Sequence, residues 1–95
     1  MAAYVIFDIK VHDAEQFSRY RELAPPAIAR YDGKYVVRGG NFEVLEGSWT
    51  PSRMVVLEFP NRERAKEWLE SPEYREARNL RRSATASSAV VVDGV

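Results

Sequence analysis

Tyr4-Val5-Ile6-Phe7-Asp8-Ile9-Lys10-Val11, then His12, then Asp13-Ala14-Glu15-Gln16: from this stretch the fold is read. Val5, Phe7, Ile9 and Val11 fall on one side of an extended chain and Tyr4, Ile6, Asp8 and Lys10 on the other, the period-two pattern of a strand with one buried face. Asp13 changes the period. Its carboxylate can accept the N–H of the third helical residue while the Gln16 amide reaches back, a capping-box pattern that starts a helix. The buried stripe of that helix is Phe17, Tyr20 and Leu23 or Ala24, with Glu15 and Arg19 as a favourably oriented i,i+4 pair on its surface. Pro25 and Pro26 each remove a donor and restrict the preceding residue. They predict a break or sharp kink, followed by a second helical piece carrying Ile28 and Tyr31. Gly33 is expected to supply the left-handed cap.

Working outward, strand signal resumes at Lys34 to Arg38, is interrupted by Gly39 and Gly40, and continues from Phe42 to Glu46. The paired glycines suggest a bulge. Gly47, Ser48, Thr50 and Pro51 make a turn around Trp49, and Arg53 to Phe59 returns as the second arm of a hairpin with Val55, Leu57 and Phe59 on one face. Pro60 closes that strand and Asn61 caps the next helix, whose apolar positions are Ala65, Trp68 and Leu69. Ser71 as N-cap, Pro72 at the first helical position and Glu73 in the first turn restart it, and Tyr74, Ala77 and Leu80 continue the stripe. A last strand runs from Ala89 to Val92. Strand, helix, strand, strand, helix, strand is the βαββαβ plan of a ferredoxin-like α+β fold, one domain over residues 1–95. Right-handed crossovers put the first and third strands at the centre of an antiparallel four-stranded sheet with both helices on one face. The other face then carries Tyr4, Ile6, Met54 and Val56, an apolar patch that self-association would cover.

Composition narrows the function. Fourteen basic side chains balance fourteen acidic ones in 95 residues, and there is no Cys and one His. A disulfide framework, a thiolate metal site, an iron–sulfur cluster and a Cys nucleophile are excluded together, and no imidazole cluster is available. By surface scaling a chain of this mass buries roughly two-thirds of its extended surface, enough for a core without staples. The apolar run Met1 to Phe7 ends at Asp8 without a basic leader, so neither a secretory signal nor a membrane span is read, and a cytoplasmic protein is expected. No Gly-x-Ser-x-Gly, nucleotide fingerprint or metal-ligand cluster is present.

Ala24-Pro25 with Ile28 and Tyr31, Val37-Arg38-Gly39-Gly40, Leu45-Glu46-Gly47 with Trp49, and Glu58-Phe59-Pro60 form a specific set. With them go Ala65, Trp68, Ser71-Pro72-Glu73-Tyr74, Leu80-Arg81 and the terminal Val92-Asp93-Gly94-Val95. On these the chain closely resembles the family of domain of unknown function 1330, a branch of the dimeric α+β barrel superfamily, over nearly its whole length. The resemblance implies that two sheets pack face to face across a homodimer with the helices outside. It supplies no reaction, because relatives in the superfamily include cofactor-independent monooxygenases, lactone isomerases and haem-using enzymes. Two positions depart from the family pattern: Asp32 stands where Gly is usual, and Arg82 follows Arg81 where an apolar residue is common.

Each candidate site residue also has a structural role open to it. His12, just before a helix cap, could be a general base or a haem ligand, though an exposed loop histidine is the simpler reading. Arg38-Gly39-Gly40-Asn41 could hold an anion with backbone N–H groups and a guanidinium, or be a bulge at an edge strand. Arg75, Arg78, Arg81 and Arg82 share their helical region with Glu70, Glu73 and Glu76, so an ion-paired solvated face is favoured over nucleic-acid binding. Trp68 and Tyr74 read as core, while Tyr31, at the end of a proline-broken helix, fits the mouth of a cleft between helix and sheet. Counting back from the helix caps, Glu58 lies three residues before Asn61 and Lys10 three before Asp13. With the two central strands running in the same direction, Glu58 and Lys10 should sit side by side, and Asp8 two residues back on the same face.

The preferred reading is a cofactor-independent enzyme or binder of a small organic molecule in a helix/sheet cleft lined by Tyr31, Arg38 and Glu58. Glu58 and Arg38 are its catalytic candidates, and Tyr31, Asn41, Arg81 and His12 its ligand contacts, with no metal, cofactor, nucleic acid or membrane expected. The alternative is a non-enzymatic dimeric interaction module in which the charges are interface ion pairs.

Overall fold

Alternation and caps act where the sequence puts them. In the computed structural model, which describes residues 1–95, Ala3, Val5, Phe7 and Ile9 of strand β1 (Ala3–Val11) are buried while Tyr4, Ile6 and Asp8 are half-buried on the other face. The Asp13 carboxylate accepts the Gln16 N–H at 3.1 Å and the Gln16 side-chain amide at 2.7 Å. This box opens helix α1 (Ala14–Arg30). Strand β2 (Lys34–Arg38), strand β3 (Met54–Phe59), helix α2 (Arg62–Glu70), helix α3 (Arg75–Ala84) and strand β4 (Thr85–Asp93) follow. The sheet order is β2-β3-β1-β4, with β3–β1, β1–β4 and β2–β3 all antiparallel. This is the ferredoxin-like α+β arrangement. No helix is long and apolar enough to cross a membrane.

Six expectations about local structure are corrected. The prolines do not break the first helix, which runs unbroken from Ala14 to Arg30. Pro25 nevertheless leaves the carbonyl four residues back, that of Arg21, without its helical donor. The Arg38 Nη2 donates to that carbonyl at 3.1 Å. The left-handed cap residue is Asp32 (φ 64°), not Gly33. Asp32 and Gly33 donate their N–H groups to the carbonyls of Ala29 and Ile28, at 3.0 and 2.9 Å. Asp tolerates this conformation better than most residues. Gly33 is required for space, since a Cβ there would stand 2.6 Å from the Phe59 ring.

The bulge lies at Val36, where the β2–β3 register shifts between Tyr35 and Val37. Phe42 to Glu46 form no strand. Residues 39–53 make a long connection instead, tied down by Asp8, which accepts the Trp49 indole N–H at 3.0 Å and the Ser52 N–H at 2.8 Å. Both bonds hold the Asp8 carboxyl below its ordinary range, the Ser52 backbone bond most. Ser71 ends α2, and its hydroxyl accepts the Tyr74 N–H at 3.2 Å across a single turn, so α3 begins only at Arg75. Arg19 pairs across to Glu76 of α3 at 3.1 Å instead of with Glu15.

One layer of helices on one sheet makes a slab of 36 × 34 × 17 Å. Its accessible surface, 6095 Å², is about 500 Å² above what scaling gives for this mass. The excess follows from the helix-free face. There Val37, Val56, Ile6 and Val90 form a row across all four strands, with Tyr4 and Val92 beside it.

Candidate functional site

The helix-facing side of the sheet is not apolar throughout. Arg53, immediately before β3, has the same parity as the buried Val55, Leu57 and Phe59, and Arg38 of β2 lies opposite Val55. On α1, Arg21 follows Phe17 by four residues and precedes Ile28 by seven, so it shares their stripe. The three guanidinium groups therefore converge on one recess between α1 and the sheet. Its inner walls are Phe7, Ile9, Phe17, Ile28, Val55 and Leu57, with Tyr35 and Tyr20 as hydroxyl-bearing neighbours. The space enclosed within it is small, about 20 Å³, and the rest of its roughly 330 Å³ is the open mouth.

Electrostatically this recess is one-sided. Arg21, Arg38 and Arg53 take part in none of the ion pairs of the molecule. Burial, and then the charges of Arg21 and Arg38, depress the Arg53 pKa. An arginine nevertheless stays protonated at neutral pH, so three positive charges persist there. Arg53 Nε is buried with no hydrogen-bond partner. The Arg38 guanidinium stacks over the Tyr35 ring at 4.5 Å and that of Arg53 faces the Phe17 ring at 5.6 Å. Burial is also the main cause that raises the Tyr35 pKa. Gly39, at φ 69°, lies directly under the Arg53 guanidinium, where any Cβ would overlap it. No carboxylate or imidazole lines the recess. Chemically the arrangement can hold and polarise an oxyanion; it offers no carboxylate base.

The other sequence-derived candidates are dispersed. Glu58 projects from the helix-free face, opposite Tyr4 and Lys34, and pairs with Lys34 at 3.4 Å. Lys10 lies at the far end of β1, opposite Ala86. The expected Asp8–Lys10–Glu58 group does not form, because the β2–β3 hairpin reverses the chain and makes β3 antiparallel to β1. Tyr31 caps the end of α1, where its hydroxyl donates to Glu73 at 2.7 Å and Arg64 covers its ring at 4.7 Å. His12 is exposed at the β1–α1 junction. Asn41 is exposed in the long connection, beside Gly39, Gly40 and Arg53 in a shallow dip. Of the six candidates, only Arg38 lines the recess.

Arg81 belongs neither to a solvated face nor to the recess. It is 5 % exposed, in contact with the core over the Phe7 ring at 5.0 Å. Its Nε donates to the Tyr74 hydroxyl at 3.3 Å and its Nη1 to Ser87 Oγ at 2.8 Å. Tyr74 in turn shares a 2.8 Å hydrogen bond with Tyr20, whose phenol is pushed far up by burial and by Tyr74. The signal for its burial was present: Arg81 is four residues after Ala77 and seven after Tyr74, on the apolar stripe. Arg21 and Arg53 were missed in the same way. Each is an arginine at the phase of a core residue.

A family model described as Domain of unknown function (DUF1330) matches residues 2–95. Among solved structures, the RPA0582 protein of unknown function from Rhodopseudomonas palustris is similar at 20% identity and a TM-score of 0.81, over 99% of this chain and 82% of that one. SnoaB, a cofactor-independent oxygenase from Streptomyces nogalater, is similar at 13% identity and a TM-score of 0.67, over 99% and 93%. A protein from Nitrosomonas europaea put forward as an antibiotic biosynthesis monooxygenase is similar at 20% identity and a TM-score of 0.62, over 100% and 99%. At these identities the likeness is one of fold. No curated protein matches the chain.

Proposed function

Because the chain belongs to the family of domain of unknown function 1330, whose description carries no reaction, we propose a function from the cleft itself. The protein is a binder of, or a cofactor-independent enzyme acting on, a small organic molecule held between α1 and the sheet. The observation that carries this reading is the recess whose apolar walls open through a mouth of polar groups, the usual composition of a small-molecule site. Its interior is far smaller than a usual ligand cavity, so a short-chain or single-ring ligand would rest in the open mouth against the apolar walls. That a cofactor-independent oxygenase shares the fold supports chemistry by protein side chains and substrate alone, with no residue role carried over.

The active form in this reading is a homodimer, formed through the row Val37, Val56, Ile6 and Val90 on the helix-free face. Val90 is 60 % exposed and Val92 48 % exposed on an edge strand, a pattern more typical of a covered interface than of a free surface. Arg38 and the recess open on the opposite side, so the dimer leaves them accessible. The same row favours a second reading, a dimeric interaction module in which the Lys34–Glu58 pair serves the interface.

Two measurements test these statements. Amide chemical-shift mapping with a panel of small organic acids, phenols and alcohols should move resonances of α1 and β3 around Phe17, Ile28 and Leu57; a panel that moves none of them sinks the cleft. Sedimentation at micromolar concentration should give a dimer that Val56→Lys converts to a monomer without loss of fold, and a wild-type monomer sinks the interface.

A further inference from the structure

We infer that the cleft ligand is an organic carboxylate: Arg21, Arg38 and Arg53 grip its oxygens at the mouth while its apolar body lies against the apolar rim of the recess. This rests on the cleft reading above and narrows it to a charge class.

Three observations support it independently of any shift in pKa. First, three cations meet at one recess, with Arg53 half-buried at a core-phase position and Arg21 and Arg38 exposed at the rim; a partly buried cation without a counter-charge is costly and calls for a compensating role. Of the other cations, Arg19, Arg30, Lys34, Arg62, Arg64 and Arg78 reach a carboxylate within 3.4 Å, while Lys10, Lys66, Arg75, Arg81 and Arg82 pair with none. The three at the cleft also pair with none, although the molecule has as many acidic as basic side chains. Second, Arg53 keeps a buried donor, its Nε, without an acceptor, and buried donors in folded proteins are nearly always satisfied. A carboxylate accepting from the edge of this guanidinium would satisfy it in a bidentate pair. Third, Gly39 leaves the guanidinium lying flat against bare backbone, and Tyr35 and Phe17 face the Arg38 and Arg53 planes. The planes are thus held by stacking, with their edges left for a ligand.

The walls decide between kinds of anion. Phosphate or sulfate could meet the guanidinium groups but would leave the apolar rim uncovered. A carboxylate on a ring or short chain satisfies both parts. Part of Arg38 is already committed, since its Nη2 serves the Arg21 carbonyl freed by Pro25. That bond ties the β2 side of the mouth to α1, and Arg53 is left as the principal anchor.

The test is titration of the full chain, followed by calorimetry and amide chemical shifts, with benzoate, benzamide and inorganic phosphate. Benzoate should move the resonances of Tyr35, Arg53 and Leu57 and bind at least about tenfold more tightly than benzamide. Its advantage should shrink as salt is raised to about 0.5 M. Arg53→Gln should reduce benzoate binding to the benzamide level and leave the thermal midpoint unchanged or higher. Arg21→Gln, at an exposed helical position, gives the same comparison should Arg53→Gln fail to fold. Benzamide binding in the cleft as tightly as benzoate overturns the charge class and leaves the cleft reading standing. Phosphate matching benzoate overturns the apolar body. If neither aromatic probe moves a cleft resonance, the cleft reading falls with it. A loss of thermal stability in Arg53→Gln without any change in benzoate affinity makes Arg53 a structural residue and overturns its role as anchor.

Discussion

Arg81 and Arg53 are both arginines at core-phase positions, one buried on α3 and one half-buried beside β3, and their surroundings differ in what meets the guanidinium. Around Arg81 the donors are used: Tyr74 and Ser87 accept from it, Phe7 covers its plane, and Tyr20 completes the chain of hydroxyls. Around Arg53 the plane is covered by Phe17 but Nε has no acceptor, and the nearest charges, Arg21 and Arg38, repel it. Burial alone therefore does not mark a functional arginine. A cation whose hydrogen bonds are complete is part of the core, whereas one whose donors remain open beside an apolar recess is poised for something that arrives from outside.

The largest expected effect breaks the Arg81 side of this comparison. Arg81→Ala removes two charge-assisted hydrogen bonds and leaves a cavity over Phe7, so urea denaturation should show a loss of about 3 kcal/mol. A neutral result would mean that the hydroxyl network holds without its cation. Tyr74→Phe is milder: it leaves Tyr20 without its hydroxyl partner and the Arg81 Nε without its acceptor, and about 2 kcal/mol should be lost in the same assay. Arg53→Gln has the opposite sign, no loss or a small gain, because it removes one of three crowded positive charges. Equal destabilisation by Arg53→Gln and Arg81→Ala would erase the distinction between the two sites.

The smallest effect is a pH dependence that leaves both arginines charged. The Asp8 carboxyl is held below its ordinary 3.8 by the Ser52 N–H and the Trp49 indole. A carboxylate with a depressed folded-state pKa adds stability above its unfolded value, and that stability is lost as the pH falls through the folded value. Trp49 fluorescence should therefore report release of the 39–53 connection only below about pH 4. Asp8→Asn should flatten that acid transition while leaving benzoate binding at neutral pH intact; an unchanged transition would mean that another carboxylate anchors the loop.

The positions where sequence reading went astray share a cause. Pro25 and Pro26 signal a break because each removes a donor, yet a distant side chain, Arg38, reaches the carbonyl that Pro25 orphans. Phe42 to Glu46 carries strand-like residues, but no neighbouring strand within the chain pairs with them. The grouping of Asp8, Lys10 and Glu58 failed on direction: a hairpin between β2 and β3 reverses β3 relative to β1, which sends Lys10 and Glu58 to opposite ends of the sheet.

By itself the sequence determined what depends on near neighbours. The alternation from Tyr4 to Val11, the Asp13–Gln16 box, the Asn61 cap and the order of strands and helices all act over a few residues, and they lead to the ferredoxin-like sheet with one bare apolar face. Only the tertiary structure decided which charged residues meet, because a guanidinium on α1, one on β2 and one before β3 converge through packing and register, not through spacing along the chain. Periodicity shows that Arg21, Arg53 and Arg81 each stand in the phase of a core residue. Whether such a cation is satisfied, as at Arg81, or left open, as at Arg53, depends on which hydroxyls the packed elements bring to it.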